Sequence, residues 1–278
     1  MRSALITGAS TGIGRATALR LDAGGWRVFA GVRREEDAES LRQAGSDRLR
    51  PLLLDVTEAD QIAAAAESVE AEAGGLEGLV NNAGVAIPAP LETIPMEDLR
   101  RQVEVNLLSQ VAVTQALLPP IRRAHGRVVF ISSIGGRIAF PLNGPYHMAK
   151  FGVEAAGDVF RQELRPWRIP VSIVEPGSIA TPIWERGAKT ADEVQERAGS
   201  RQQALYGQAM ERLREVAREL AERGIPPEKV ADAIEHALTA QRPRSRYLVG
   251  LDAKVQARIK PLIPTPLFDR IVARMMNL

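Results

Sequence analysis

The chain has 278 residues, which suits one large α/β domain or two small ones, and its 45% hydrophobic and 25% charged content with a net charge of +2 is that of an ordinary soluble globular protein. So small a charge, with arginines scattered and no aromatics interleaved, gives no footing for nucleic acid. With no cysteine and three separated histidines (His125, His147, His236), disulfides, thiol catalysis and thiolate metal sites are excluded, and no metal centre is expected.

Residues 1–6 run straight into a glycine-rich turn, so no secretory signal is expected. No run approaches the ~18 apolar residues of a membrane span, so a cytoplasmic protein is expected. Residues 3–7 read as a buried strand, and residues 14–23 as the helix after it. Further short, β-branched runs follow at 27–32, 50–54, 78–81, 127–132, 170–175 and 246–249. Thr57 to Asp60 has the form of a capping box before the alanine-rich helix 62–73. Short apolar strands that alternate with helical patterns predict a Rossmann-type, doubly wound parallel sheet of about seven strands within a single domain spanning 1–278. Residues 184–225 break the rhythm as a polar helical segment, expected as a lid. Residues 251–278 form a C-terminal extension with Pro261, Pro264 and Pro266.

The run Thr7 to Gly14, TGASTGIG, stands between the first strand and first helix. Glycines there let backbone approach a pyrophosphate, which the helix N-terminus attracts. Gly8, Ser10, Thr11, Gly12, Ile13 and Gly14 are therefore candidates for a dinucleotide cradle. At the end of the second strand, where an acid would favour NAD(H), Val32 is followed by Arg33 and Arg34. Two guanidinium groups suit a 2′-phosphate, so NADP(H) is preferred and NAD(H) stays possible. Glu35, Glu36 and Asp37 follow at once and could instead neutralise a plain basic turn.

Tyr146 and Lys150 are four residues apart, on one face of a predicted helix, with Ser133 thirteen residues upstream. At about 4 Å and a dielectric of ~20, an ammonium stabilises a phenolate by ~4 kcal/mol. The pairing predicts a phenol shifted towards neutrality, able to exchange a proton with an alcohol oxygen.

These motifs together resemble the short-chain dehydrogenase/reductase family: TGASTGIG, DVT at 55–57, NNAG at 81–84, Asn106 in VNLL, Ser133 in ISSIGG, Tyr146, Lys150, and PGSIATP at 176–182. The resemblance covers residues 3–183 and extends towards 249, and is nearest to hydroxysteroid and retinol dehydrogenases. It implies a catalytic set of Asn106, Ser133, Tyr146 and Lys150, with Asn106 holding a water that links Lys150 to solvent. It further implies that Asp55 and Val56 hold the adenine, that Asn82, Ala83 and Gly84 line the adenosine side, and that Pro176, Gly177, Ile179 and Thr181 lie beside the nicotinamide, whose ribose Lys150 binds. The family interval to Tyr146 selects Ser133 over Ser132, and strand alternation points the two oppositely. His147, one position on, points elsewhere on the helix.

The expected function is an NADP(H)-dependent interconversion of alcohol and carbonyl on a lipophilic small molecule, with Ser133, Tyr146 and Trp184 at the substrate. A dinucleotide-sensing protein of the same fold with reduced turnover is the alternative. Ile138, Phe140, Leu142, Ile183, Leu205, Tyr206 and Met210 either line an elongated pocket or pack the lid onto the body. Residues 268–278 mix apolar and basic side chains; docking onto the body or a partner subunit is expected ahead of membrane contact. The resemblance also implies a homodimer or homotetramer formed through the helices near Asn106 and Tyr146.

Overall fold

A computed structural model describes residues 1–278 apart from the side chain of Arg201. The strands β1 (Ser3–Ile6), β2 (Arg27–Val32), β3 (Leu49–Leu53), β4 (Gly78–Asn81), β5 (Arg127–Ile131), β6 (Val171–Pro176) and β7 (Arg246–Val249) form one parallel sheet in the order 3-2-1-4-5-6-7. This is the doubly wound class expected from the alternation of short apolar runs and helices. The helices are α1 (Gly12–Ala23), α2 (Glu35–Ala44), α3 (Ala59–Ala73), α4 (Met96–Val103), α5 (Ser109–Ala124), α6 (Gly144–Glu163), α7 (Ile183–Glu222), α8 (Glu228–Thr239), α9 (Leu251–Ile259) and α10 (Thr265–Met276).

Period-2 alternation divides the strand residues between two cores. Ala4, Ile6, Val28, Ala30, Val80 and Val129 pack against α1, α2 and α8. Leu5, Phe29, Leu79, Val128 and Phe130 pack against α3, α5 and α6. Both faces are thus dry, which is why the strands read as unbroken apolar runs. The strand order reverses between β1 and β4, so a crevice opens beyond their C-terminal ends.

Two details depart from the sequence reading, and a third follows it. The capping box at Thr57 does not form. Helix α3 starts after Glu58 with no side-chain cap, and Thr57 gives its hydroxyl and N–H to Asp55 Oδ1 at 2.8 and 3.0 Å. The lid segment is helical from Ile183 to Glu222 but breaks at Gly199, whose φ of 73° only glycine adopts freely. The tail folds back onto the molecule: Phe268, Val272 and Met276 recur every four residues along α10 and pack with Leu142, Ala209 and Met210.

Candidate active site

The crevice is organised around Thr7. Its hydroxyl accepts the N–H groups of Asn82 and Ala83, each at 2.9 Å, and Asn82 Nδ2 donates to the carbonyls of Thr7 at 2.9 Å and Gly8 at 3.0 Å. The NNAG segment therefore braces the glycine loop from below. Asn82, expected to line the adenosine, spends its amide on the loop itself. The packing leaves no room for side chains: a Cβ on Gly14 would lie 2.3 Å from the Gly8 carbonyl oxygen, and one on Gly8 would lie 2.8 Å from Ala83 Cα. Ser10, Thr11, Gly12 and Ile13 remain half-buried at the N-terminus of α1, and Thr11 caps that helix without a side-chain bond. The free N–H groups and the closely packed backbone fit the pyrophosphate of a dinucleotide.

At the rim, Val32 is buried and Arg33 and Arg34 are exposed. The two arginines diverge. Arg34 pairs with Glu36 at 2.6 Å and Asp37 at 3.0 Å, whereas Glu35 is taken by Arg42 at 2.8 Å. All three neighbouring acids are occupied, and Arg33 has no ion pair among the described residues. A plain neutralised turn describes Arg34 only. Asp55 turns its Oδ1 to Thr57, while its N–H donates to Gln61 at 2.7 Å; Val56 is buried.

Across the crevice, Ser132 and Ser133 follow the end of β5, and their hydroxyls meet different surroundings. Ser132 is buried, whereas Ser133 Oγ accepts the Gly135 N–H at 3.0 Å and reaches the Pro176 carbonyl at 3.5 Å. From Pro176 the chain passes to Thr181, whose Cγ2 would be 3.0 Å from a Cβ on Gly12. The 176–181 turn thus spans the distance from Ser133 to the glycine loop. Two contacts absent from the sequence reading fix it. Asp252 Oδ2 accepts the Ser178 N–H at 2.7 Å, and Trp184 Nε1 donates to the Ile179 carbonyl at 2.8 Å. Trp184 is folded against that turn, and its indole N–H is used there.

Ser133, Tyr146 and Lys150 come together, with the Ser133 hydroxyl close enough to the phenol to draw its pKa down against burial. Lys150 Nζ donates to the Ile131 carbonyl at 2.7 Å and lies 5.7 Å from the centre of the Tyr146 ring. The expected lowering of the phenol is not found. Burial pushes Tyr146 up, against the pull of Ser133, and burial also brings Lys150 down to about 8, against the charge of Glu154 one turn on. Lys150 gives one N–H to a backbone carbonyl, and in the resting site burial outweighs any pull it exerts on the phenol.

Asn106 is buried in a π-turn over Glu104–Leu108; its Oδ1 accepts the Val85 N–H at 2.8 Å and its Nδ2 donates to the Val85 carbonyl at 2.9 Å. Its side chain thus locks the segment after Gly84 and makes no hydrogen bond to Lys150. Of the apolar set named above, Phe140, Leu142, Tyr206 and Met210 pack together with α10, and Leu205 is exposed. They serve mainly to seat the lid. Leu142 does so at a φ of 65°, a conformation uncommon for a branched residue and held by its burial four residues before Tyr146.

His147 is the residue the sequence undervalued. It is buried, and its Nδ1 bonds the Gly135 carbonyl at 2.8 Å, which makes that nitrogen the protonated one. Burial holds its pKa down, so the ring stays neutral. Gly135 is therefore gripped twice, by His147 at its carbonyl and by Ser133 at its N–H. A buried histidine beside a catalytic-type tyrosine was the only signal available, and the partner lies twelve residues away.

Comparison with known proteins agrees with this geometry. The model of the short chain dehydrogenase family matches residues 2–193. Mouse retinol dehydrogenase 5 is 41% identical over 275 residues, covering 96% of this chain and 86% of that protein. Human 17-beta-hydroxysteroid dehydrogenase type 6 is 40% identical over 286 residues, covering 97% and 87%. Among solved structures, a short-chain dehydrogenase from Streptomyces avermitilis superposes with a TM-score of 0.77 at 29% identity, covering 99% of this chain and 95% of that one. One from Burkholderia cenocepacia in complex with NADP gives 0.76 at 25% identity, covering 97% and 98%.

Two outcomes are expected from this geometry. His147→Asn, whose amide nitrogen sits where Nδ1 does, keeps turnover within a few-fold. His147→Gln and His147→Leu lower kcat by tenfold or more with unchanged dinucleotide affinity, as measured by steady-state kinetics and fluorescence titration. Secondly, the unfolded chain holds the Lys150 proton to about 10.4 whereas the fold releases it at about 8. Stability of the protein without added dinucleotide therefore rises with pH from about 8 up to the range where Tyr146 titrates, by roughly 2–3 kcal/mol. Urea unfolding across that range checks this, and Lys150→Met should flatten the rise.

Proposed function

Because the chain belongs to the short-chain dehydrogenase family, and is thereby an NAD(P)-dependent dehydrogenase acting on CH–OH groups, we propose that it interconverts a secondary alcohol and a ketone, or a primary alcohol and an aldehyde, on a lipophilic molecule such as a steroid or retinoid, with NADP(H) preferred. The observation that carries the reading is the meeting of Ser133, Tyr146 and Lys150 at the end of β5, facing the glycine loop across the 176–181 turn. Relatives named for retinol and 17-beta-hydroxysteroid, about 40% identical over nearly the whole chain, support the substrate class. The preference for NADP(H) rests on Val32 where an acid would favour NAD(H), and on Arg33, left unpaired at the rim.

Gly8 to Gly14 would hold the pyrophosphate, Arg33 the 2′-phosphate, and residues 176–181 the nicotinamide end. A nicotinamide bound there supplies a hydride acceptor or donor. Tyr146 gives a proton to the substrate oxygen in reduction and takes it in oxidation. Ser133, with its lone pair occupied by the Gly135 N–H, directs its own proton to that oxygen as negative charge develops. Lys150, brought down only to about 8, is still an ammonium at neutral pH, and it stabilises negative charge as this develops on the phenol. Asn106 has its side chain committed to Val85, so a water on the proton route meets its main chain at the π-turn. Self-association through α6 and the segment before α5 fits the apolar residues exposed there, Leu108, Met148, Phe151 and Val159.

A panel of steroid and retinoid alcohols and carbonyls, followed by dinucleotide absorbance, tests the substrate class. Tyr146→Phe should cut turnover at least a hundredfold while dinucleotide binding survives; full activity in that variant sinks the mechanism. Arg33→Ala should weaken NADPH tenfold or more and leave NADH nearly unchanged, whereas Arg34→Ala should affect both little. Equal losses for the two dinucleotides would show that Arg33 does not read the 2′-phosphate.

A further inference from the structure

Arg186 lies in the first turn of the lid helix α7, and local contacts fix where it stands. Trp184 Nε1 holds the helix start to the Ile179 carbonyl at 2.8 Å, and the Arg186 N–H bonds the Pro182 carbonyl at 3.0 Å. Gly187 is buried against the loop after β4, where a Cβ on it would lie 3.3 Å from Ala86 Cβ. Successive helix residues point about 100° apart, so with Gly187 turned to that loop Arg186 faces another way. Its Nη1 reaches Thr11 Oγ1 at 3.4 Å, across 175 positions of sequence.

Thr11 is the residue before α1, so the guanidinium comes to the mouth of the glycine loop, where the free N–H groups lie. The loop itself, residues 7–14, has no charged side chain, and neither has the segment 82–88 that braces it. Arg15, the next residue of α1, turns to the Ser40 carbonyl of α2 at 3.4 Å, and Arg33 stands at the rim after β2. A dinucleotide pyrophosphate bears one negative charge on each phosphate, whereas a helix N-terminus offers about +0.5 of a charge. The backbone cradle therefore leaves most of that charge unmatched. Arg186 is exposed, has no ion pair among the described residues, and gives Thr11 one N–H at a length beyond the usual range. Its other donors are open to an anion.

We propose that Arg186 binds the dinucleotide pyrophosphate from the lid side and so ties the start of the lid to the cofactor. The proposal rests on the dinucleotide reading and adds to it the cation that the glycine loop lacks. The bond to Thr11 keeps the guanidinium at the loop before any anion arrives. Arg33 and Arg186 then divide the recognition. Arg33 meets the 2′-phosphate, which only NADP(H) carries, whereas Arg186 meets a group that both dinucleotides share. Farther along α7 the lid is held separately, through Arg197 with Asp98 at 2.6 Å and Tyr206 with Glu92 at 2.7 Å. An anion at Arg186 therefore acts on the first two turns of the helix.

The test is isothermal titration calorimetry of the full chain with NADPH, NADH and ADP-ribose, which has the pyrophosphate but no nicotinamide. Arg186→Gln should raise the Kd of all three about tenfold, and Arg186→Lys only a few-fold, because a point charge keeps part of the attraction. Thermal unfolding of the protein without ligand should be unchanged in both variants. ADP-ribose should slow hydrogen exchange over residues 183–190 in the wild-type chain and not in Arg186→Gln. Wild-type affinities retained in Arg186→Gln overturn the proposal. So does a loss confined to NADPH, which would assign Arg186 to the 2′-phosphate instead. A wild-type chain that binds none of the three overturns the dinucleotide reading itself, and the proposal with it.

Discussion

Thr7 follows β1 directly at the point where the strand order reverses, and its one hydroxyl oxygen accepts two backbone N–H groups from the loop after β4. Asn82 and Ala83 are half-buried, and without Thr7 their N–H groups would lose these bonds at a cost of about 0.5–1.5 kcal/mol each. The bond pair also sets how near the two loops stand. Everything above the sheet inherits that spacing: the glycine loop rests on Ala83, Asn82 ties back to Gly8, and Asn106 holds Val85 just beyond. The crevice is a gap between two loops stitched together at their base.

On the other side of the crevice the stitching is looser and more local. Ser133, Gly135 and His147 form a short relay of bonds that ties the end of β5 to the start of α6. Tyr146 and Lys150 ride on that helix, so their distance from Ser133 depends on the relay and on the strained Leu142 before it. Burial keeps the phenol protonated and brings the lysine down to about 8, so at neutral pH the resting pair is a neutral phenol beside an ammonium.

The sheet was legible because both its faces are dry: short β-branched runs, each followed by a helical pattern, leave few other arrangements. The glycine loop and the Tyr146–Lys150 pair were legible because each is a local spacing. What stayed hidden depends on residues distant in sequence. Asp252 meets Ser178 across 74 positions, and Asn82 meets Thr7 across 75. Arg33 and Arg34 look alike in sequence, yet competition among three nearby acids left Arg34 committed and Arg33 without an ion pair among the described residues. The electrostatics of Tyr146 failed for a related reason: spacing brings Lys150 near, but burial and the Ile131 carbonyl decide its charge and direction.

The contact of Asp252 with Ser178 gives the C-terminal segment a second standing. A chain cut after β7 would lose more than a tail, because the Ser178 N–H would be left without its acceptor beside the turn that joins Ser133 to the glycine loop. The same bond works in reverse as a tether. Any force on α9 is delivered at its first turn to a backbone amide at the edge of the cleft, so the extension and the catalytic crevice share one mechanical anchor.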